Sequence, residues 1–375
     1  MPTIMVSCGE ASGDLYAGAL VTELRRLAPS TRVFGLGGPR LAGAGAELVG
    51  DYRGLAVTGL TEAIRVLPRS FEMLRRLRRR LVNDRPDALV AIDFPDFNFG
   101  LAKSARRMGI PVVYYISPQL WAWRSGRIHT MKTIATKVLV IFPFEQPIYE
   151  RAGIPVEFVG HPLIDLIRVT VDRGELLSMC GLAPDAPTVA LLPGSRPNEV
   201  RATLPTLAAA AELIRSHVPA VQFIVARAPH LATSLFTPLS STRAVAIVEG
   251  RADDVLSASD VVVTASGTAT VQTALHQRPM VIVYRVSTLT YRLGRPFVKL
   301  DTFGMVNLVS GRRIVPELMQ DDFTPERVAD EVRSLLTEPA RAEAMRADLR
   351  EMRTRLGDVG ASRRAAAAVL AVARG

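Results

Sequence analysis

The residues with the types and spacing to do chemistry fall into a few short clusters, and the richest spans residues 93–123. An apolar run, Ala88-Leu89-Val90-Ala91-Ile92, ends at Asp93, and Phe94-Pro95-Asp96-Phe97-Asn98 follows. A second run, Val112-Val113-Tyr114-Tyr115-Ile116, leads into Ser117-Pro118 and Trp121-Ala122-Trp123-Arg124, which holds both tryptophans of the chain. Short β-branched and aliphatic runs of this kind read as strands buried on both faces. In an open α/β sheet, ligands sit beyond the carboxyl ends of the strands. Asp93, Ser117, Trp123 and Arg124 would gather there as a carboxylate, a hydroxyl, aromatic plates and a cation. That combination suits a sugar.

Two small-residue loops open helices in the second half of the chain, at Gly194-Ser195-Arg196 and Ser266-Gly267-Thr268. Helix N-termini rich in Gly, Ser and Thr offer amides and hydroxyls to phosphate, and an arginine adds a permanent, bidentate charge. Together they predict a diphosphate site, where either alone would be only a helix cap. Near the start, Gly9-Glu10-Ala11-Ser12-Gly13-Asp14 also joins a strand to a helix. Its two carboxylates would repel a pyrophosphate. It reads either as a loop for hydroxyls or an amine, or as a tight turn with Ser12 or Asp14 capping the helix. Val33-Phe34-Gly35-Leu36-Gly37-Gly38-Pro39 is a strand with a structural Gly turn. His161, before Pro162 at a strand end, reads as a histidine satisfied within its loop.

The elements around these clusters alternate strand and helix through residue 162, the pattern of a doubly wound parallel sheet. Residues 188–192, 221–227, 245–249, 260–264 and 279–284 repeat the plan. The expected organisation is an α/β chain of two Rossmann-like domains facing a cleft, over 1–170 and 186–340. Residues 163–186 form the crossing, and C-terminal helices over 341–375 return to the first domain or reach a partner chain. Residues 67–82 predict a basic amphipathic helix: Leu67, Phe71, Leu74, Leu77 and Leu81 recur at helical spacing among Arg69, Arg75, Arg76, Arg78, Arg79 and Arg80. Such a face fits an anionic membrane surface, at about 1 kcal/mol per basic residue.

The 375 residues suffice for two domains, and 48% of them are hydrophobic. No apolar run reaches the roughly 20 residues that cross a bilayer. The N-terminus enters a strand directly, unlike a secretory signal. Cys8 and Cys180 show no metal or pairing spacing, which fits a reducing cytoplasm. The net charge of +10 points to an anionic partner. No recognition-helix or RNA-binding signature points to nucleic acid.

Two tandem α/β domains with diphosphate loops in the second describe the GT-B architecture of nucleotide-sugar transferases. The clusters above, with Leu192-Pro193 and with Asn307-Leu308 and Val315-Pro316-Glu317-Leu318, resemble the lipid-A-disaccharide synthase family in order and nearly end to end. The resemblance implies an inverting transfer from UDP-2,3-diacylglucosamine to 2,3-diacylglucosamine 1-phosphate. It implies no cofactor and no metal, a peripheral place on the cytoplasmic face of the inner membrane, and Asp93 and Arg196 as the essential pair. Gly194, Ser195, Arg196, Ser266, Gly267, Thr268, Gln272 and Asn307 would bind the UDP-sugar. Glu10, Ser12, Asp14, Ser117, Trp123 and Arg124 would lie on the acceptor side. A homodimer is among the assemblies the sequence leaves open. At Gln272 the family pattern has Glu for the donor ribose; Gln keeps an acceptor oxygen but loses the charge-assisted bond. The rivals are another GT-B enzyme, such as a UDP-N-acetylglucosamine 2-epimerase, and a non-enzymatic basic binding protein.

Overall fold

The computed structural model describes residues 1–55, 60–118, 126–285, 302 and 304–375. The described chain divides into two units, one of residues 1–166 and 356–375, the other of 167–285, 302 and 304–355.

The first unit is a seven-stranded parallel sheet in the order β3-β2-β1-β4-β5-β6-β7. The strands are β1 (Thr3–Cys8), β2 (Arg32–Gly37), β3 (Glu47–Asp51), β4 (Ala88–Ile92), β5 (Val112–Tyr115), β6 (Lys137–Val140) and β7 (Val156–Phe158). Between them run α1 (Ala11–Leu27), α2 (Pro39–Gly43), α3 (Leu60–Asp84), α4 (Pro95–Arg107), α5 (Arg127–Ile134) and α6 (Gln146–Arg151), with α7 (Leu163–Leu166) after β7. Helices cover both faces, so β4 and β5 are buried at every position.

The second unit is a six-stranded parallel sheet in the order β10-β9-β8-β11-β12-β13. It opens with α8 (Arg173–Met179), then β8 (Thr188–Leu192), α9 (Pro197–His217), β9 (Gln222–Arg227), β10 (Val245–Glu249), α10 (Ala252–Ala258), β11 (Val261–Ala265), α11 (Thr268–Leu275) and β12 (Met280–Tyr284). After α12 (Met305–Ser310) and β13 (Glu317–Met319) come α13 (Pro325–Thr337) and α14 (Pro339–Arg355).

Two boundaries differ from the sequence reading. Of the crossing segment, residues 163–166 stay with the first unit and 167–186 fold with the second, where Arg173 binds them. Its guanidinium pairs with Asp260 at 3.0 Å and donates to the carbonyls of Pro184, Ala186 and Ala258. The C-terminal helices separate: α14 stays with the second unit, and α15 (Ala361–Arg374) packs on α1 of the first. Small side chains make that close packing possible, with Ala361, Ala365 and Ala366 fully buried. Asp165 accepts the Gly360 N–H at 2.7 Å, and Arg364 donates to the Val159 carbonyl at 2.8 Å.

The amphipathic helix also differs in detail. Leu77 and Leu81 enter the core, but Leu67 and Phe71 face outward, 48% and 67% exposed. Arg80 joins Glu47 and Asp84 in an ion-pair network that includes Arg32. It is tied to the protein rather than turned to a surface. Arg69, Arg75, Arg76, Arg78 and Arg79 remain exposed. Among the described residues no helix is long and apolar enough to cross a membrane.

Candidate active site

Each sheet reverses its winding direction once, and some of the candidate residues lie at those two points. In the first unit β1 and β4 lie side by side, with Cys8 opposite Ile92. The chain proceeds to β2 on one side and β5 on the other, which opens a crevice beyond the strand ends. Gly9, Glu10 and Asp93 emerge there together.

Asp93 and Phe94 both adopt left-handed backbone conformations, with φ of 45° and 49°. Non-glycine residues in that region cost about 1–3 kcal/mol each and persist where the surroundings enforce them. The enforcement is visible. The fully buried Asn98 donates to the Asp93 carbonyl at 2.8 Å, and the Tyr114 hydroxyl donates to the same oxygen at 2.8 Å. Burial, and next the nearby Asp93, raise the Tyr114 phenol well above its ordinary pKa, so it stays a donor. The Phe94 ring stacks on Phe97 at 5.3 Å and fills the space over Gly9, where a Cβ would lie 2.2 Å from it. Position 9 therefore requires glycine. Asp96 is exposed and pairs with Arg127.

The other acceptor-side candidates separate. Glu10 and Ser12 are half-buried at the start of α1. Asp14 is 1% exposed, and its carboxylate accepts the N–H groups of Gly38, Arg40 and Leu41 at 2.7, 3.0 and 3.1 Å. It caps α2, so it is corrected from an acceptor contact to a structural anion at a helix N-terminus. Ser117 is also buried; its hydroxyl meets the Tyr149 hydroxyl and donates to the Pro118 carbonyl, which turns it inward. Trp123 and Arg124 lie outside the described residues. His161 is buried with Tyr16 and Phe142 against its ring, and its Nδ1 accepts the Leu163 N–H at 3.2 Å.

In the second unit β8 and β11 form the equivalent point, with Leu192 opposite Thr264. The loop Gly194-Ser195-Arg196 leaves β8, and Ser266-Gly267-Thr268 leaves β11. Gly194 has φ of 136°, and a Cβ there would meet Glu199. The Glu199 carboxylate accepts the Ser195 N–H at 2.9 Å and pairs with the Arg196 guanidinium at 2.5 Å. The His230 ring contacts the Ser195 carbonyl at 2.8 Å. Tyr284, at the end of β12, is raised by burial and then by Glu199, and lowered by Arg196. Gly267 and Thr268 are exposed at the α11 N-terminus.

Gln272 lies one turn further along α11, where its amide donates to Asp253 Oδ1 at 2.8 Å. His276 Nε2 contacts the same oxygen at 2.9 Å. Burial alone would raise the Asp253 carboxyl, but hydrogen bonds from His276, the Arg168 N–H and Gln272 hold it below its usual range. Asn307 is a correction. It is 1% exposed, its Nδ2 donates to Val315 O and Glu317 Oε1, and its Oδ1 accepts the Ile314 and Val315 N–H groups. Those four bonds use the whole capacity of an amide, so Asn307 holds the turn before β13 rather than a ligand.

Sequence reasoning missed Glu199, Tyr114, Asp253 and His230. Glu199 carried a signal, an acid at the third helical position after a Ser-Arg pair. The others reach the site only through folding.

Two doubly wound parallel sheets, each carrying its polar loops at the winding reversal, define the GT-B fold. Solved structures share this fold. UDP-GlcNAc 2-epimerase from Neisseria meningitidis, bound to UDP-GlcNAc, superposes with a TM-score of 0.70 at 14% identity, over 99% of this chain and 100% of that one. The glycotransferase of kitacinnamycin superposes with a TM-score of 0.66 at 20% identity, over 99% of both. The family model for lipid-A-disaccharide synthetase matches residues 4–372, and the chain belongs to that family. Lipid-A-disaccharide synthase of Geobacter sulfurreducens is 45% identical over 372 residues, 98% of this chain and 96% of the relative. That of Myxococcus xanthus is 44% identical over 371 residues, 98% and 97%. The protein is a glycosyltransferase of lipid A disaccharide synthesis.

Proposed function

We propose that the protein transfers 2,3-diacylglucosamine from its UDP conjugate to the 6-hydroxyl of 2,3-diacylglucosamine 1-phosphate. The observation that carries this is the placement of Asp93 at the winding reversal of the first sheet and of Arg196 at that of the second. The acceptor oxygen attacks C1 of the donor as the C1–O bond to the diphosphate breaks, with inversion to a β-1,6 linkage. Asp93 takes the hydroxyl proton as general base, which typically contributes about 10²–10⁴-fold. Arg196 and the amides of the Gly194 and Gly267 loops stabilise the charge that develops on departing UDP. Glu10 and Ser12 face the acceptor.

The substrates carry acyl chains, and the exposed Leu67 and Phe71 beside Arg69, Arg75 and Arg79 support docking of α3 on an anionic membrane surface, at the cytoplasmic face of the inner membrane. The test is a transferase assay with both substrates on wild type and Asp93→Asn. Disaccharide and UDP from wild type alone support the reaction and the base. Product from both proteins would remove Asp93 from its role, and product from neither would move the reading to another acceptor.

A further inference from the structure

We infer that Asn98 and Tyr114 are positioning residues for the proposed base. They hold the left-handed turn at Asp93 and Phe94 and so fix the direction in which the Asp93 side chain leaves the backbone. The inference rests on Asp93 being that base. Both side chains are buried and both donate to one atom, the Asp93 carbonyl oxygen, from opposite elements: Asn98 from α4 and Tyr114 from β5. Asn98 does more. Its Nδ2 lies 3.2 Å from the carbonyls of Ile92 and of Ser7, and its Oδ1 accepts the Ser7 hydroxyl at 2.6 Å. One amide therefore ties the ends of β1 and β4, the two strands that frame the crevice, to the turn between them.

The geometry explains why the Asn98 amide and the Tyr114 phenol are buried beside the end of β4. The turn carries two successive residues with positive φ and no glycine. Without donors on its carbonyl, that peptide is free to rotate to an ordinary conformation, which would swing the carboxylate. A carboxylate displaced by about an ångström loses its hydrogen-bond reach to an acceptor hydroxyl, a change that can reduce turnover about a hundredfold.

Tyr114→Phe is the cleanest test, because it removes one hydroxyl and keeps the ring. We expect kcat to fall by about tenfold or more, with KM for both substrates within about twofold, in a protein that unfolds cooperatively. Asn98→Asp keeps the size and removes the N–H donors; it should share the defect, and if it does not fold, Tyr114→Phe carries the test alone. A role through Asp93 also makes the losses non-additive: in an Asp93→Asn background, Tyr114→Phe should lower the residual rate no further. Wild-type kcat in Tyr114→Phe beside a strongly impaired Asp93→Asn overturns the inference and leaves the base in place. So does an equal loss in both backgrounds. Full activity in Asp93→Asn would overturn the base itself.

Discussion

Glu199 holds Arg196 at two points: its carboxylate accepts the Arg196 backbone N–H at 3.2 Å and pairs with the guanidinium at 2.5 Å. Glu199 thus fixes the Arg196 side chain and the backbone of its loop before any ligand arrives.

Arg196→Ala should therefore leave the fold intact and lower kcat/KM by about 10²–10³-fold. The rise in Tm that UDP gives the wild type should be lost as well, since ligand stabilisation tracks affinity. Arg196→Lys should restore little, because an ammonium cannot reproduce the planar fork. Thermal shift with UDP and steady-state kinetics together check this; an unchanged UDP shift would take Arg196 out of the donor site.

Placing an acid at position 272 should not help by itself. Gln272→Glu replaces an amide donor 2.8 Å from Asp253 Oδ1 with a second carboxylate. Two like charges in contact raise the pKa of the pair. The variant should be destabilised at pH 8, by roughly 1–2 kcal/mol, and should recover as pH falls and the pair takes up a proton. Adding Asp253→Asn should remove the penalty. Tm against pH for the two variants decides it.

His161 should make stability fall with acid. Burial pushes its imidazole down from 6.5 to about 3, so the folded protein keeps it neutral where the unfolded chain protonates it. Between about pH 6.5 and 3 the unfolded state binds more protons. This contribution is complete above 6.5 and is lost as pH drops through that window, roughly 1–2 kcal/mol by pH 5. His161→Asn retains an acceptor for the Leu163 N–H and removes the titration. It should start with a lower Tm at pH 7, having lost the ring contacts with Tyr16 and Phe142, but fall less steeply to pH 5.

Much of this protein was legible in one dimension. Buried strands such as Ala88–Ile92 and Val112–Tyr115 announce themselves because a parallel sheet covered on both faces admits only apolar residues. Small-residue loops after strands mark the ligand side, because backbone amides at a helix start are an intrinsic anion site. The strands Glu47–Asp51 and Glu317–Met319 were not legible, being short and carrying acidic residues among their apolar ones. Nor could spacing tell which polar groups were already used. Asp14 and Asn307 look like site residues, yet their partners come from segments that only the fold brings to them: Gly38, Arg40 and Leu41 for one, Ile314, Val315 and Glu317 for the other. The return of Ala361–Arg374 to the first unit was equally a tertiary matter, since an alanine-rich face can pack on any surface close enough to receive it. Residue type set what each side chain could do; the strand order, which places Gly9 beside Asp93 and Gly194 beside Ser266, decided which of them act together.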